Sequence, residues 1–217
     1  AYIKENGNGI AYDLRQQELI IESNNHREVL QKCLDRGGCI IVDGVFETDQ
    51  RVKVYGNTIF LGLGSDRTKI KLKSGIKGDH VATLSGSNII IANMTIDGNR
   101  SEVSYPGYNI YGIWNEGDIN NVIIYNVKVQ HVMQQGIYLG EHNAKRVAIV
   151  NCEITDCQPN IRIGSPNVNT EIIEDIYLIG VYSHDCYRQH NFFVASKGTC
   201  QRVFLERCVS KNTYECD

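Results

Sequence analysis

The 217-residue chain contains no apolar run approaching the roughly 20 residues of a membrane-spanning helix, which excludes a helical span, and no N-terminal apolar h-region is visible. Its 22 basic residues are scattered, so the clustered positive footprint of a nucleic-acid binder is missing. Eight cysteines are many for a cytosolic protein, yet they form no CxxC pair and no Cys/His metal spacing. Two readings of them stay open. Cys157 and Cys186 fall at matching places in neighbouring repeats, where a bridge is geometrically possible, and stacked free thiols are the alternative. The start at Ala1 fits Met removal, a cleaved signal peptide or a trimmed chain equally well. With 42% hydrophobic residues and a net charge of −3, the chain is long enough for one substantial core.

What is present is repetition. Between Ile119 and Thr213 the chain says nearly the same thing four times: NVIIYNVKVQHVMQQGIYLG, RVAIVNCEITDCQPNIRIG, DIYLIGVYSHDCYRQHNFFVA and an incomplete RVFLERCVSKNT. The apolar anchors Val122, Val147, Ile176 and Val203 recur at steps of 25, 29 and 27 residues. Such a period decides architecture before local propensity does. Aligning the repeats with NIIIANMTI sets Asn93, Asn126 and Asn151 in one column, continued by Gly180 and Arg207, and this column is expected inside the coil. The adjacent column, Met94, Val127, Cys152, Val181 and Cys208, is small or apolar. A coil whose apolar face is buried only by stacking on the next, at about 4.8 Å, is the consistent solution; roughly seven coils would make a rod on the order of 35 Å long.

Residues 1–22 read as an extended lead-in. A short amphipathic helix is expected within 23–38, with Asn25 and Glu28 in a capping-box-like start, Val29, Leu30, Cys33 and Leu34 as its apolar stripe, and Gly37-Gly38 as its stop. Residues 39–217 then form the coils of one domain. This order, a helix, a Gly-Gly break, CIIVDGVF, NTIFLGLG and a ladder of short strands, resembles the N-terminus of the pectate lyase-like right-handed parallel β-helix superfamily, in which such a helix plugs the open end of the coil. The resemblance covers about residues 23–213 and implies an all-β, β-solenoid fold class. It implies little about activity, since the superfamily includes lyases, hydrolases, epimerases, phage tailspikes and non-catalytic modules.

By position, YGIWN, GIYLG, NIRIG and NFFVA correspond to the sheet that floors the substrate groove in that superfamily. Period-2 alternation turns Ile113, Ile137, Ile161 and Phe192 inward. Trp114, Tyr138, Arg162 and Phe193 then form one outward stripe, with Asn160 and Asn191 beside it. Aromatic faces one coil apart suit sugar rings, and Arg162 offers a planar fork for a uronate carboxylate or a sulfate. Tyr108, in the long loop from Asp97 to Asn109, is placed to join Tyr105 and Tyr111 as a wall over Trp114. The run from Ser183 to His190 gathers ionisable groups, with Asp156 and His131 at corresponding places one and two coils earlier. His184 or His190 is the candidate base, Arg162 and Arg188 are the carboxylate-neutralising groups, and Tyr182 or Asp185 supports them. A polar surface loop and a shielded sheet face are the plain alternatives.

The motifs of the superfamily's polygalacturonase-type hydrolases are missing, apart from Arg162-Ile163-Gly164 as a partial echo. The paired carboxylates of inverting hydrolysis are missing too, so β-elimination fits better than hydrolysis. No cofactor is expected; a calcium site would have to draw on Glu116, Asp118 and Glu141. The expected partner is an acidic polysaccharide or oligosaccharide, bound and beyond that cleaved or epimerised, on an extracellular, virion or cell surface. The rival reading is a non-catalytic tail component, adhesin or sugar-binding module. The last repeat is incomplete, so a homo-oligomer or a longer parent chain is expected to cover the final coil edge.

Overall fold

The computed structural model describes residues 1–105 and 109–213. Each coil contributes a short strand to each of three parallel ladders. Face 1 is built from residues 52–55, 82–85, 113–115, 137–139, 161–163 and 192–194. Face 2 is built from residues 38–42, 58–62, 89–92, 122–125, 147–150, 176–179 and 203–206. Face 3 is built from 45–48, 69–72, 94–97, 127–130, 153–155, 182–186 and 209–213. The result is a β-solenoid of about six turns, with the register Val122, Val147, Ile176, Val203 that the repeats predict.

The coils turn where the backbone enters the left-handed region for a single residue. Between faces 1 and 2 these residues are Asn57, Asn88, Asn121, Arg146, Asp175 and Arg202; between faces 2 and 3 they are Asn93, Asn126, Asn151, Gly180 and Arg207. Asn and Gly tolerate this conformation best, which explains the recurring Asn. The predicted interior position of the Asn93 column is corrected: a left-handed corner throws its side chain outward, and Asn126 is exposed as its Nδ2 donates to Asn93 Oδ1 at 2.8 Å. A second ladder runs along the other corner, Asn121 donating to Asn88 and Asn88 to Asn57.

The lead-in is more structured than expected. Tyr2–Asn6, Asn8–Asp13 and Glu18–Ser23 form an antiparallel meander, and the first of them continues face 2 by pairing in parallel with Gly38–Asp43. Helix α1, His26–Leu34, begins at Asn25, whose side chain accepts the Glu28 N–H, and it buries Val29, Leu30, Cys33 and Leu34 against the end of the coil. Its Gln31 closes the exposed edge of face 1: Nε2 donates to Lys53 O at 3.1 Å and Oε1 accepts from Lys53 N at 2.8 Å. An open strand edge is thereby answered by one amide. The core is a single column of Ile, Val and Leu running from this helix to Ile176 and Val181.

All seven described cysteines are free thiols, with Cys216 outside the described residues. Cys157 and Cys186 stack unbridged in the interior, Cys186 Sγ lying 3.3 Å from Cys157 O.

Candidate functional site on face 1

From Asn93 onward faces 2 and 3 are joined by one corner residue per coil, with a longer turn at 63–68 before it, whereas face 1 has loops along both of its edges. Among the described residues one edge carries 98–105, 109–112, 131–136, 156–160 and 187–191; the other carries 140–143, 164–171 and 195–198. Between them the outward row reads Lys53, Thr83, Trp114, Tyr138, Arg162, Phe193, each in register with the next. The stripe predicted from alternation is therefore present, and it lies at the floor of the one face with two walls.

The middle of the row is covered. His80 stacks on Tyr111 at 4.9 Å and contacts Trp114 at 4.8 Å, while Tyr111 meets Trp114 at 5.5 Å and Tyr138 at 4.8 Å, both edge-on. The expectation that Tyr138 is an open platform is corrected: it is 2% exposed because Tyr111 folds over it. Gly140 leaves room for its ring, since a Cβ there would sit 2.5 Å from Tyr138 Cε2. Burial pushes the Tyr138 hydroxyl up to about 12, and Tyr111 is raised in the same way. His80 Nδ1 accepts the Tyr111 N–H, which assigns the ring proton to Nε2, and burial lowers this histidine to about 4, so it is neutral at pH 7.

On one side of this aromatic group, Glu116 is held by Arg51 at 3.1 Å, Lys53 at 3.3 Å and Thr83 at 2.9 Å. On the other side, the Arg162 guanidinium lies between the Tyr138 ring at 5.4 Å and the Phe193 ring at 5.3 Å. Phe193 in turn stacks on His190 with ring planes 5° apart. Arg162 is partly exposed, forms no ion pair among the described residues, and its Nε has no hydrogen-bond partner. The Trp114 Nε1 is likewise buried without a partner.

Asn160 and Asn191, expected beside the stripe, point the other way and are 0% and 1% exposed. They follow Gly112 and Gly136 in the same stack, where a Cβ would meet carbonyl oxygens at 2.5 and 2.6 Å. In the later coils an inward amide fills that position and satisfies the turn. Asn160 Oδ1 accepts Cys157 N–H, and its Nδ2 faces Ile154 O, Ser183 Oγ, His184 O and Asn191 Oδ1 within 3.1 Å. They are structural residues. Tyr108 lies outside the described residues, and the long loop that holds it packs along the corner: Asn99 bonds to Leu72 O, and Arg100 pairs with Asp156 at 2.6 Å and lies over Tyr187.

The ionisable run is split between two faces, so the single acid-base site expected from sequence is not assembled. Tyr182, His184 and Asp185 project from face 3, whereas Arg162 and His190 belong to face 1; Arg188 is exposed on the loop between them. His184 also has both ring nitrogens engaged: Nδ1 is 2.6 Å from Asp185 Oδ2 and Nε2 is 3.3 Å from Glu153 Oε1. Tyr182 stacks on its ring at 4.4 Å. The Glu153 carboxyl is raised by partial burial but lowered further by Lys128 and His184, and the net direction is down. Sequence reasoning missed Glu153, although alternation along Cys152-Glu153-Ile154 already turns it outward beside Lys128 and Tyr182. Glu116, Asp118 and Glu141 do not converge: Glu116 is in the cluster with Arg51 and Lys53, Asp118 accepts from Asn143, and Glu141 accepts from Tyr138. Among the described residues no three His, Cys, Asp or Glu side chains gather into a metal-binding group.

No family profile and no curated protein matches the chain. Solved structures do. The N-terminal fragment of bacteriophage phi29 gene product 12 superposes with a TM-score of 0.71 at 20% identity, over 87% of this chain and 34% of that one. The two share a parallel β-helix fold. This β-helix is also similar to the ORF18 product of Geobacillus virus E2, with a TM-score of 0.66 at 14% identity over 93% of this chain and 48% of that one. A putative glycosyl hydrolase from Parabacteroides merdae gives 0.55 at 14% identity, over 84% and 87% of the two chains. The β-helix thus spans about a third and about half of the two viral chains.

Proposed function

We propose that this β-helix binds an acidic glycan along face 1, with Arg162 receiving a uronate carboxylate or a sulfate. The observation that carries the reading is the state of Arg162: a guanidinium oriented by the Tyr138 and Phe193 rings, partly open to solvent, and without an acidic partner among the described residues. Other features of the face suit the same ligand. His190 stacked on Phe193 extends the flat surface, and Trp114 lies two coils away on the same floor. The loops on both edges would close around a linear chain. The two similar viral structures support placing this recognition surface on a virion.

Elimination chemistry would have to use His190 with Arg162, because these are the groups of the predicted catalytic set that share face 1. Binding alone needs only what the face already holds, and recognition is therefore the reading we adopt.

The test is direct titration of the chain with alginate, pectate and glycosaminoglycan oligosaccharides, together with a neutral glucan. Loss of one charge-assisted contact, about 1.5–3 kcal/mol, lowers affinity about 10- to 100-fold in Arg162→Met, with Arg162→Lys intermediate. Equal affinity for the neutral glucan, or acidic-glycan binding unchanged in Arg162→Met, would sink the proposal. Ultraviolet absorbance of unsaturated uronate in the same samples decides whether cleavage accompanies binding.

A further inference from the structure

The three faces differ in their outward chemistry. Face 1 presents Lys53 and Arg162 among aromatics, and face 3 presents Lys128, Glu153 and His184. Face 2 presents almost nothing but hydrocarbon. One outward row reads Ile59, Ile90, Ile123, Ala148, Tyr177, Phe204, each residue in register with the next. The parallel row includes Leu61, Tyr125, Val150 and Ile179, and meets its first charge only at Glu206. These side chains are not covered: Ile59 is 39% exposed, Ile123 38%, Tyr125 43%, Tyr177 38% and Phe204 48%. At the border Arg202 pairs with Asp175 at 2.6 Å and with Glu174 at 3.1 Å.

We infer that face 2 packs against face 2 of a second copy of this chain. Two physical features select that occupant. The first is area. Seven strands about 4.8 Å apart and about five residues wide make a patch of about 500 Å² on each chain, and two such patches face to face bury on the order of 1,000 Å², the lower bound of a specific interface. The second is spacing. The ridges of this face repeat at the interval between coils, and a dry sheet-to-sheet contact requires ridges of one surface to fit grooves of equal spacing on the other. A second copy has that spacing by identity, along the full length of the face, and the one charge it brings on these rows, Glu206, is paired with its own Arg207 at 3.2 Å. The association leaves face 1 outward on each copy, so several glycan sites would be presented together; it does not depend on the glycan reading.

Light scattering of the intact chain tests it. At concentrations of about 10 μM the expected mass is at least twice that of one chain. Ile123→Lys with Tyr177→Lys, both outward and away from the core, is expected to return the mass to one chain while circular dichroism stays β-rich. Thr155→Lys, which adds a single lysine on face 3 and is compared with Ile123→Lys alone, is expected to leave the assembly intact. If the double variant fails to fold, Ala148→Arg reads the same row. A monomeric wild-type chain overturns the inference. So does an assembly that survives charge on face 2, or one that Thr155→Lys disrupts equally.

Discussion

Asn160 offers a test of whether polar side chains near the groove are there for ligand or for fold. Replacing it by Ala removes the acceptor of the Cys157 N–H and the donor shared by Ile154 O, His184 O, Ser183 Oγ and Asn191 Oδ1, at a site with no solvent to replace them. The two amide hydrogens cannot serve four acceptors at full strength, so we count three groups left effectively unpaired: Cys157 N–H, the His184 carbonyl and Asn191 Oδ1. At the low end of about 1–3 kcal/mol for each buried orphan, Asn160→Ala costs about 3 kcal/mol or more. Equilibrium urea unfolding measures this as a fall in midpoint at constant slope. Asn160→Asp sharpens the test. The neutral acid can still donate one hydrogen bond and accept from Cys157, but the carboxylate would face the four acceptors that the amide served. Its folded pKa must lie above the unfolded value of about 3.9, so the variant is most stable at low pH and loses stability as pH rises beyond that value. A cost below about 1 kcal/mol for Asn160→Ala, or an Asp variant whose stability does not depend on pH between about 4 and 7, would refute the structural role.

Asp97 gives the opposite pH sign. Burial would raise its carboxyl, but the Asn99 N–H, the Gln130 amide, His131 and Lys69 hold it below the usual carboxylate range. Its contribution is present above the unfolded carboxylate pKa and lost as pH falls through the folded one, so Asp97→Asn flattens the acid limb of the stability profile; an unchanged limb would show the pairing contributes nothing. Cys39 is exposed, whereas burial pushes the Cys152 thiol up to about 11 and raises Cys157 as well. Mass mapping after brief alkylation of the native chain is therefore expected to find Cys39 modified and Cys152, Cys157 and Cys186 protected until denaturant is added. Gln31→Leu keeps the helix apolar but leaves Lys53 N and O unanswered, and is expected to lower stability by about 2 kcal/mol in the same urea assay; no change would show that water replaces the amide.

The fold was legible because a β-solenoid repeats its instructions. The anchors Val122, Val147, Ile176 and Val203, and the outward row from Trp114 to Phe193, follow from spacing and alternation alone. What spacing did not carry was the sense of each turn. A left-handed residue reverses which way its side chain points, so the Asn93 column lies outside and Asn160 inside, although both read as polar residues next to a strand. A second corner separates His184 from Arg162, which the stacking expected from the repeats had joined. Tyr138 is covered by Tyr111 from an earlier coil, a contact between loop and strand that no periodicity encodes.

The uneven corners have a consequence for how such a chain can change over generations. From Asn93 onward faces 2 and 3 meet through one left-handed residue in each coil, and the one longer turn between them, 63–68, lies in an early coil away from face 1. The loops bordering face 1 already differ from coil to coil, from the four residues 140–143 to the eight residues 164–171, and the strands beneath them keep their register regardless. Ligand preference can therefore drift by exchange of loops while the apolar face and the rod's pitch stay constant. A rod of this kind can acquire a new receptor without relearning how to fold.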